Sequence, residues 1–480
     1  MSTRTLQNYI NGHFADHSGD FIPVLNPATG ETIAQAPETT LDEVNRAVDA
    51  AEAAQADWAK VPASERASYL YKIADGIRKN AKDLARQITE EQGKILGLAD
   101  GEVAFTLLGL EYTAEWARRI EGEILESDRP NENVFMFRMP IGVIAGILPW
   151  NFPFFLIVRK LAPSLVAGNT IVIKPSEETP INADDFMRIA DDVGLPPGVV
   201  NFVHGRGATV GNALAGHPKV GMVSFTGSVD TGSKVMHAAA DNITKVNLEL
   251  GGKAPAIVLA DADIELAASF IKQSRVINSG QVCNCVERVY VEKKVADEFT
   301  DKLAKVMATS KYGNPLEEED LDYGPQINDK GIEKVETLVS SAVSAGATVV
   351  TGGKRSDRTP GNYYEPTVLA DVKQDMDIIQ REIFGPVAPI VTVDGLNEAI
   401  SYANQSDYGL TSSIYTKDLN VAMRACKEIR FGETYINREN MEALNCFHAG
   451  VRKSGIGGAD GKHGFYEYMQ THMVYIQYDA

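Results

Sequence analysis

A chain of 480 residues, 44% of them apolar, has room for two or three domains around sizeable cores. Its 46 Lys and Arg stand against 65 Asp and Glu, a net charge of −19, which excludes the basic face that nucleic acid or an anionic membrane surface requires. Four cysteines cannot build a disulfide framework at this length, so a reducing, cytoplasmic setting is expected and the purpose of the four stays open. In chain order, the N-terminus has no apolar run of the kind that opens a signal peptide. The first forty residues read as short strands, with a turn at Asn26-Pro-Ala-Thr-Gly30. Thr40-Leu-Asp-Glu43 is a capping box opening a helix that runs through Trp58, and helices follow over 64–91 and 99–120.

Residues 139–158 carry no charge, about the length of a membrane span, but Pro140, Pro149 and Pro153 forbid one continuous helix. A buried strand over 141–148, a tight turn and a helix over 154–166 are predicted instead. Strands at 170–174, 199–203 and 221–226 then alternate with helices at 182–193, 208–215 and 231–240. That alternation predicts a parallel sheet covered on both faces, and a second α/β unit follows over 256–393. Residues 121–140 and 468–480 break the pattern; as extended arms they pair with another chain or cover a sheet edge, so an oligomer is expected. Glu317-Glu-Glu-Asp320 reads as a solvated loop.

Two turns are candidate anion sites. His204-Gly-Arg-Gly-Ala-Thr-Val-Gly211 approaches a dinucleotide fingerprint but has one residue too many before its last glycine. Phe225-Thr-Gly-Ser-Val-Asp-Thr-Gly232 ends a strand in glycine just before a helix, which suits either an anion or a tight packing turn. Lys174-Pro-Ser-Glu177 closes the neighbouring strand; its lysine and carboxylate suit two ribose hydroxyls, or form a surface ion pair. The carboxylate would repel a 2′-phosphate, which favours NAD over NADP. No G-x-S-x-G and no His-Glu-x-x-His occurs, so serine-hydrolase chemistry and a metal site are not expected. Cys283 follows Ser-Gly-Gln-Val, where small and polar residues leave a thiol accessible at a turn, whereas Cys426 and Cys446 read as small hydrophobes. Glu249 sits in an apolar strand before two glycines. Apolar neighbours should raise its pKa toward that of a general base, the alternative being an ion pair with Lys253.

Together the runs Pro149-Trp-Asn-Phe-Pro153, Lys174-Pro-Ser-Glu177, Phe225-Thr-Gly-Ser228, Leu248-Glu-Leu-Gly-Gly-Lys253, Gly280-Gln-Val-Cys283 and Glu382-Ile-Phe-Gly-Pro386 resemble the aldehyde dehydrogenase superfamily, over essentially the whole chain. The resemblance implies an α/β fold: a Rossmann-like NAD domain (1–120 and 141–251), a second α/β catalytic domain (252–450), and a small β oligomerisation arm with the C-terminal tail (121–140 and 451–480). It implies a homo-oligomer, a tetramer or dimer of dimers. It also implies a mechanism: Cys283 attacks the aldehyde, Asn151 and the Cys283 N–H hold the oxyanion, and Glu249 activates the water that hydrolyses a thioester. By the same carry-over, Lys174, Ser176 and Glu177 bind the adenosine ribose, Gly227 and Ser228 the pyrophosphate, and Glu382 the nicotinamide ribose, with Phe384 near the ring. Trp150, Gly207, Gly211, Phe225 and Leu250 complete the expected NAD contacts.

For the substrate, the resemblance points to Phe152, Arg159, Asn284 and the polar loop holding Arg438, Glu442 and His448. These residues resemble the branch of the family acting on short hydroxyaldehydes such as lactaldehyde and glycolaldehyde. The succinate-semialdehyde branch shares an arginine at the Arg159 position but adds a second one six residues before the cysteine, where this chain has Ile277.

Overall fold

Residues 3–479 are described by a computed structural model. Five strands, Val143–Ile147, Thr170–Lys174, Val200–Phe202, Val220–Gly227 and Lys245–Leu250, run parallel in a first sheet. The chain steps outward through the first three, then returns to lay the fourth on the other flank of the first. The crevice between Val143–Ile147 and Val220–Gly227 is therefore the point where strand order reverses, and its carboxyl end is where open α/β sheets take ligands. Antiparallel strands finish both edges: Asn8–Ile10 and His13–Ala15 on one, Gly455–Ile456 on the other.

Both faces of this sheet are buried, which is why Val143–Ile147 and Thr170–Lys174 are apolar almost throughout, whereas Lys245–Leu250 alternates and turns Asn247 and Glu249 to one face. Val143, Ala145, Ile147 and Val172 pack with Val44, Val48 and Ala51 of the helix Leu41–Lys60. Ile144, Ile171 and Ile173 pack on the opposite side with Ala63–Gln92 and Pro153–Ala167. The predicted capping box is present: Glu43 N donates to Thr40 Oγ1 (3.3 Å) and Thr40 N to Glu43 Oε2 (2.8 Å). The uncharged stretch divides as expected into strand, turn and helix, the helix opening on Pro153 and stopping at Gly168, whose φ is +96°. Among the described residues no helix is long and apolar enough to cross a membrane.

A second sheet has the order 348–351, 367–370, 387–393, 286–292, 254–258, 411–415, 433–436, all parallel except Thr348–Thr351. Helices Ile264–Val276 and Ala296–Ala308 cover one face, Asp329–Ser344 and Leu396–Asn404 the other. Glu123–Glu126, Glu132–Pro140 and Met469–Gln477 form a separate antiparallel arm, which leaves Ile124 76% and Tyr475 64% exposed.

Three expectations shift. The helix expected over 208–215 begins as a wide turn, Gly211 N reaching back five residues to Arg206 O, and becomes α-helical only over Asn212–Ala215. The helix expected to 120 ends at Glu115, followed by one tight turn, Trp116–Arg118. The tail is split: Gly455–Ile456 belongs to the first sheet, and only Met469–Gln477 to the arm.

Candidate active site

The two sheets meet at a cavity of about 430 Å³. The first sheet faces it with the carboxyl ends of its strands: Pro149 to Phe152, Thr226 to Ser228, and Glu249 to Gly251. The second faces it with the loops that precede its strands: Val282 to Cys285 before Val286–Glu292, Glu382 to Phe384 before Val387–Val393, and Leu410 before Thr411–Tyr415.

Cys283 lies half-buried in this wall. The loop leading to it takes three left-handed residues in succession, Asn278 (φ 48°), Ser279 (59°) and Gly280 (75°). At Gly280 a Cβ would stand 2.2 Å from Gly385 O, so only glycine fits. Gly252 passes so close to Cys283 that a Cβ there would stand 2.4 Å from Cys283 O. Asn151 is buried with its amide fixed on both sides: Nδ2 donates to Gln281 O (3.1 Å) and Oδ1 accepts from Phe152 N (3.1 Å).

Glu249 is buried, accepts from Thr226 Oγ1 (2.7 Å) and lies 3.8 Å from Lys160 Nζ. Its Oε1 has no protein partner among the described residues. Burial pushes this carboxyl up, but Lys160, Arg159 and His448 outweigh it and hold the pKa below the usual carboxylate range. The sequence expectation of a raised value is thus reversed, because the strand's apolar neighbours hide two cations from the facing helix. The alternative ion pair with Lys253 does not form either; Lys253 pairs with Glu287 at 2.7 Å. Lys160 itself is pushed down to about 8 by burial.

In the same cavity Arg159 donates to Glu442 (3.0 Å) and to Asp460, and Asn284 Nδ2 donates to the second oxygen of Glu442 (2.7 Å). His448 Nδ1 is held by Glu433 Oε1 at 2.6 Å. Burial pushes His448 down, yet Glu442, the neighbouring Cys283 and Glu433 raise its pKa well above the usual histidine value. The guanidinium is therefore already neutralised by two carboxylates. Phe152 also lines the cavity.

Trp150, Gly227, Ser228, Leu250, Glu382 and Phe384 line the same cavity, with Trp150 and Phe384 meeting edge to face at 5.7 Å. Glu382 accepts from Gly252 N at 3.0 Å. Lys174, Ser176, Glu177, Gly207 and Gly211 stand outside it, along the same carboxyl edge. There Lys174 pairs with Glu177 (2.8 Å), whose other oxygen accepts from Gly207 N (3.3 Å), and Ser176 Oγ accepts from Glu178 N (3.2 Å). A Cβ on Gly207 would meet nothing within 4 Å, so this turn borders open space.

Two expected contacts are displaced. Phe225 is 4% exposed and packs in the sheet core, because strand alternation turns its neighbour Thr226, not Phe225, toward Glu249. Arg438 does not line the cavity; half-exposed, it donates to Glu439 Oε1 (2.8 Å) and Met441 O (3.0 Å) at the rim, just after the left-handed Asn437 (φ 53°). No group of three or more metal-ligating side chains occurs among the described residues.

The sequence profile described as "Aldehyde dehydrogenase family" matches residues 14–474. The chain belongs to the aldehyde dehydrogenase family. It is 59% identical to the lactaldehyde dehydrogenase of Escherichia coli (strain K12) over 470 residues, 98% of each chain. The crystal structure of the lactaldehyde dehydrogenase from Escherichia coli superposes with a TM-score of 0.98 at 58% identity, covering 99% of this chain and 100% of that one. A 3,6-anhydro-L-galactose dehydrogenase solved in complex with NAP gives a TM-score of 0.96 at 43% identity, over 98% of this chain and 100% of that one. Members of this family oxidise aldehydes with a nicotinamide dinucleotide, NAD or NADP.

In this aldehyde dehydrogenase several site residues carry no motif. Lys160 and Asp460 contact the central groups from a helix and from the glycine-rich tail. Glu287 accepts from Ile383 N (2.7 Å) and Phe384 N (2.9 Å), and so fixes the loop that carries Glu382. One signal could have revealed the helix cations: Arg159 and Lys160 are the first charges after the uncharged stretch, inside a helix whose other residues are apolar or small.

Proposed function

We propose that this aldehyde dehydrogenase oxidises a short 2-hydroxyaldehyde, such as lactaldehyde or glycolaldehyde, to its acid with NAD. The observation that carries this reading is the self-neutralised polar cluster beside Cys283, in which Arg159, Glu442, Asn284 and His448 line the cavity and Asp460 backs Arg159. Such a cluster offers donors and acceptors to a hydroxyl but no unpaired cation to a distal carboxylate. Ile277 lines the same cavity where a second cation would be needed, which weighs against succinate semialdehyde.

The residues along the first sheet's carboxyl edge fit a dinucleotide. The open turn at Gly207, the partly exposed Glu177 carboxylate and the helix start at Ser228 lie in series along it. Lys174 and Glu177 would hold the adenosine ribose, Gly227 and Ser228 the pyrophosphate, and Glu382 the second ribose. Glu177, kept ionised by Lys174 against its own burial, supports NAD over NADP by repelling a 2′-phosphate. When bound, the nicotinamide ring supplies the hydride acceptor.

The chain's own groups do the rest. The Cys283 thiolate, beside the cationic His448, adds to the aldehyde carbon to give a thiohemiacetal. The Asn151 Nδ2 and the Cys283 N–H receive the developing oxyanion. Once hydride has left, a thioester remains on Cys283. Glu249, ionised and with one oxygen free, takes the proton of a water that attacks this thioester, and Thr226 and Lys160 steady the other oxygen. The apolar residues exposed on the arm support pairing between copies of the chain.

A kcat/KM panel over lactaldehyde, glycolaldehyde, succinate semialdehyde and an unbranched aliphatic aldehyde, with NAD and with NADP, tests this reading. The two hydroxyaldehydes with NAD are expected to lead; a clear lead for succinate semialdehyde would overturn the assignment.

A further inference from the structure

Lys94 and Glu102 form an ion pair at 2.6 Å with both side chains fully buried. Burying two charges costs more than burying two apolar groups of the same size, so the pair does not recommend itself as core packing. Its remaining hydrogen bonds all go to one short turn. Lys94 Nζ donates to Asn151 O (2.7 Å), and its ammonium lies 3.8 Å over the Phe152 ring. Glu102 Oε1 accepts from Phe154 N (2.8 Å) and Phe155 N (3.1 Å).

These two N–H groups are the orphan donors of the helix Pro153–Ala167, whose N-cap residue, Phe152, has no side chain able to satisfy them. Glu102 therefore caps a helix to which it does not belong, while Lys94 fixes the carbonyl one peptide before the cap. Asn278 Nδ2, from the loop that carries the nucleophile, donates to the same carbonyl at 3.2 Å. The carbonyl of Asn151 is thus held by two donors, its side-chain amide by Gln281 O and Phe152 N, and the residue lines the cavity.

We propose that the Lys94–Glu102 pair positions the oxyanion hole, acting through Asn151 rather than on the substrate. The proposal rests on the reading of Asn151 as the oxyanion donor, and a double-mutant cycle separates the two. Removing one charge alone would strand the other in the core, so the variant is the neutral pair Lys94→Met with Glu102→Gln, compared with Asn151→Ala and with all three changes together. The readouts are the rate of the first-turnover NADH burst, the KM for NAD, and the rate at which iodoacetamide alkylates Cys283.

Asn151→Ala is expected to slow the burst by about 100-fold, the scale for one lost oxyanion donor. The neutral pair should slow it by about 10-fold or more while NAD KM and alkylation stay within about twofold, and adding it to Asn151→Ala should cost less than about twofold more. A triple variant slowed by the product of the two effects would overturn the positioning role, as would a neutral pair with the wild-type burst. Parallel losses in alkylation and NAD KM would reduce the pair to a general structural support and overturn it too. A wild-type burst in Asn151→Ala would instead overturn the reading of Asn151. Should the neutral pair not fold, Lys94→Gln with Glu102→Gln and Lys94→Gln with Glu102→Leu, both without a stranded charge, keep the test decisive. The amide at 102 still accepts from Phe154 N and Phe155 N, so the first should hold the burst within about tenfold and the second should not; equal losses would overturn the proposal.

Discussion

The two sheets serve the same cavity from opposite ends, and the difference explains their division of labour. The first presents carboxyl ends, where helices begin and free N–H groups collect, a setting that favours anions. The second presents amino ends, toward which its helices point their carbonyl poles. Ile264–Val276 ends just before the Cys283 loop, a poor neighbour for the anionic sulfur of the proposed mechanism. Arg275, in its last turn and fully buried, offsets this by donating to Gly385 O (2.6 Å), Gly280 O (3.2 Å) and Val286 O. Its 3.6 Å approach to Glu287, and Lys253 beyond, complete a buried cluster that ties the Cys283 loop to the Glu382 loop. Strand ends suffice for the side that stabilises charge. The side that makes the bond needs its own electrostatic correction.

Substitutions on each side should therefore fail differently. Cys283→Ser is expected to abolish the NADH burst, by about 10⁴-fold or more, and to leave NAD affinity measured by fluorescence titration within about twofold. Glu249→Gln, on the first sheet, should keep the burst and slow steady-state turnover by about 10²–10³-fold, because only deacylation needs the base. A lost burst in Glu249→Gln would erase the distinction between the sides. Glu177→Gln removes the carboxylate proposed to hold the ribose, and the NADP-to-NAD ratio of kcat/KM should rise about tenfold, equivalent to about 1.4 kcal/mol.

Lys160→Met sharpens the picture through pH. Burial alone would raise the Glu249 pKa, and Lys160 is the foremost group holding it down. Without that lysine the pKa rises, so the acid limb of kcat should move to higher pH. A downward move would mean that Lys160 does not set the ionisation of Glu249. Arg438→Ala, outside the cavity, should change kcat/KM by less than about twofold for every aldehyde in the panel.

The sheets also differ in how much of them is legible in the sequence. Turns at strand ends need Gly, Pro or Asn for backbone reasons, so Pro149 to Pro153, Gly227 and Gly251-Gly252 mark the first sheet's edge by residue type alone. Alternation then places the strands within a residue or two. The hidden part comes from residues that act across long sequence distances and whose local pattern has another sufficient explanation. Lys94 and Glu102 sit in and beside ordinary helices, Glu433 in a strand, and Asp460 among glycines. Arg438, just after the left-handed Asn437, defies expectation because a polar loop does not announce which of its side chains turn inward.

The last forty residues thread every part of the molecule. They contribute an edge strand to the first sheet, Asp460 to Arg159, the Tyr468 hydroxyl to Ser224 (3.0 Å) and the final strand to the arm. Arg159 waits 301 positions along the chain for Asp460. During synthesis this guanidinium therefore lies in a forming core without its countercharge until almost the whole polypeptide has emerged. Contacts of such sequence separation slow folding, and a chain cut short before Asp460 would leave Arg159 with Glu442 as its one carboxylate partner.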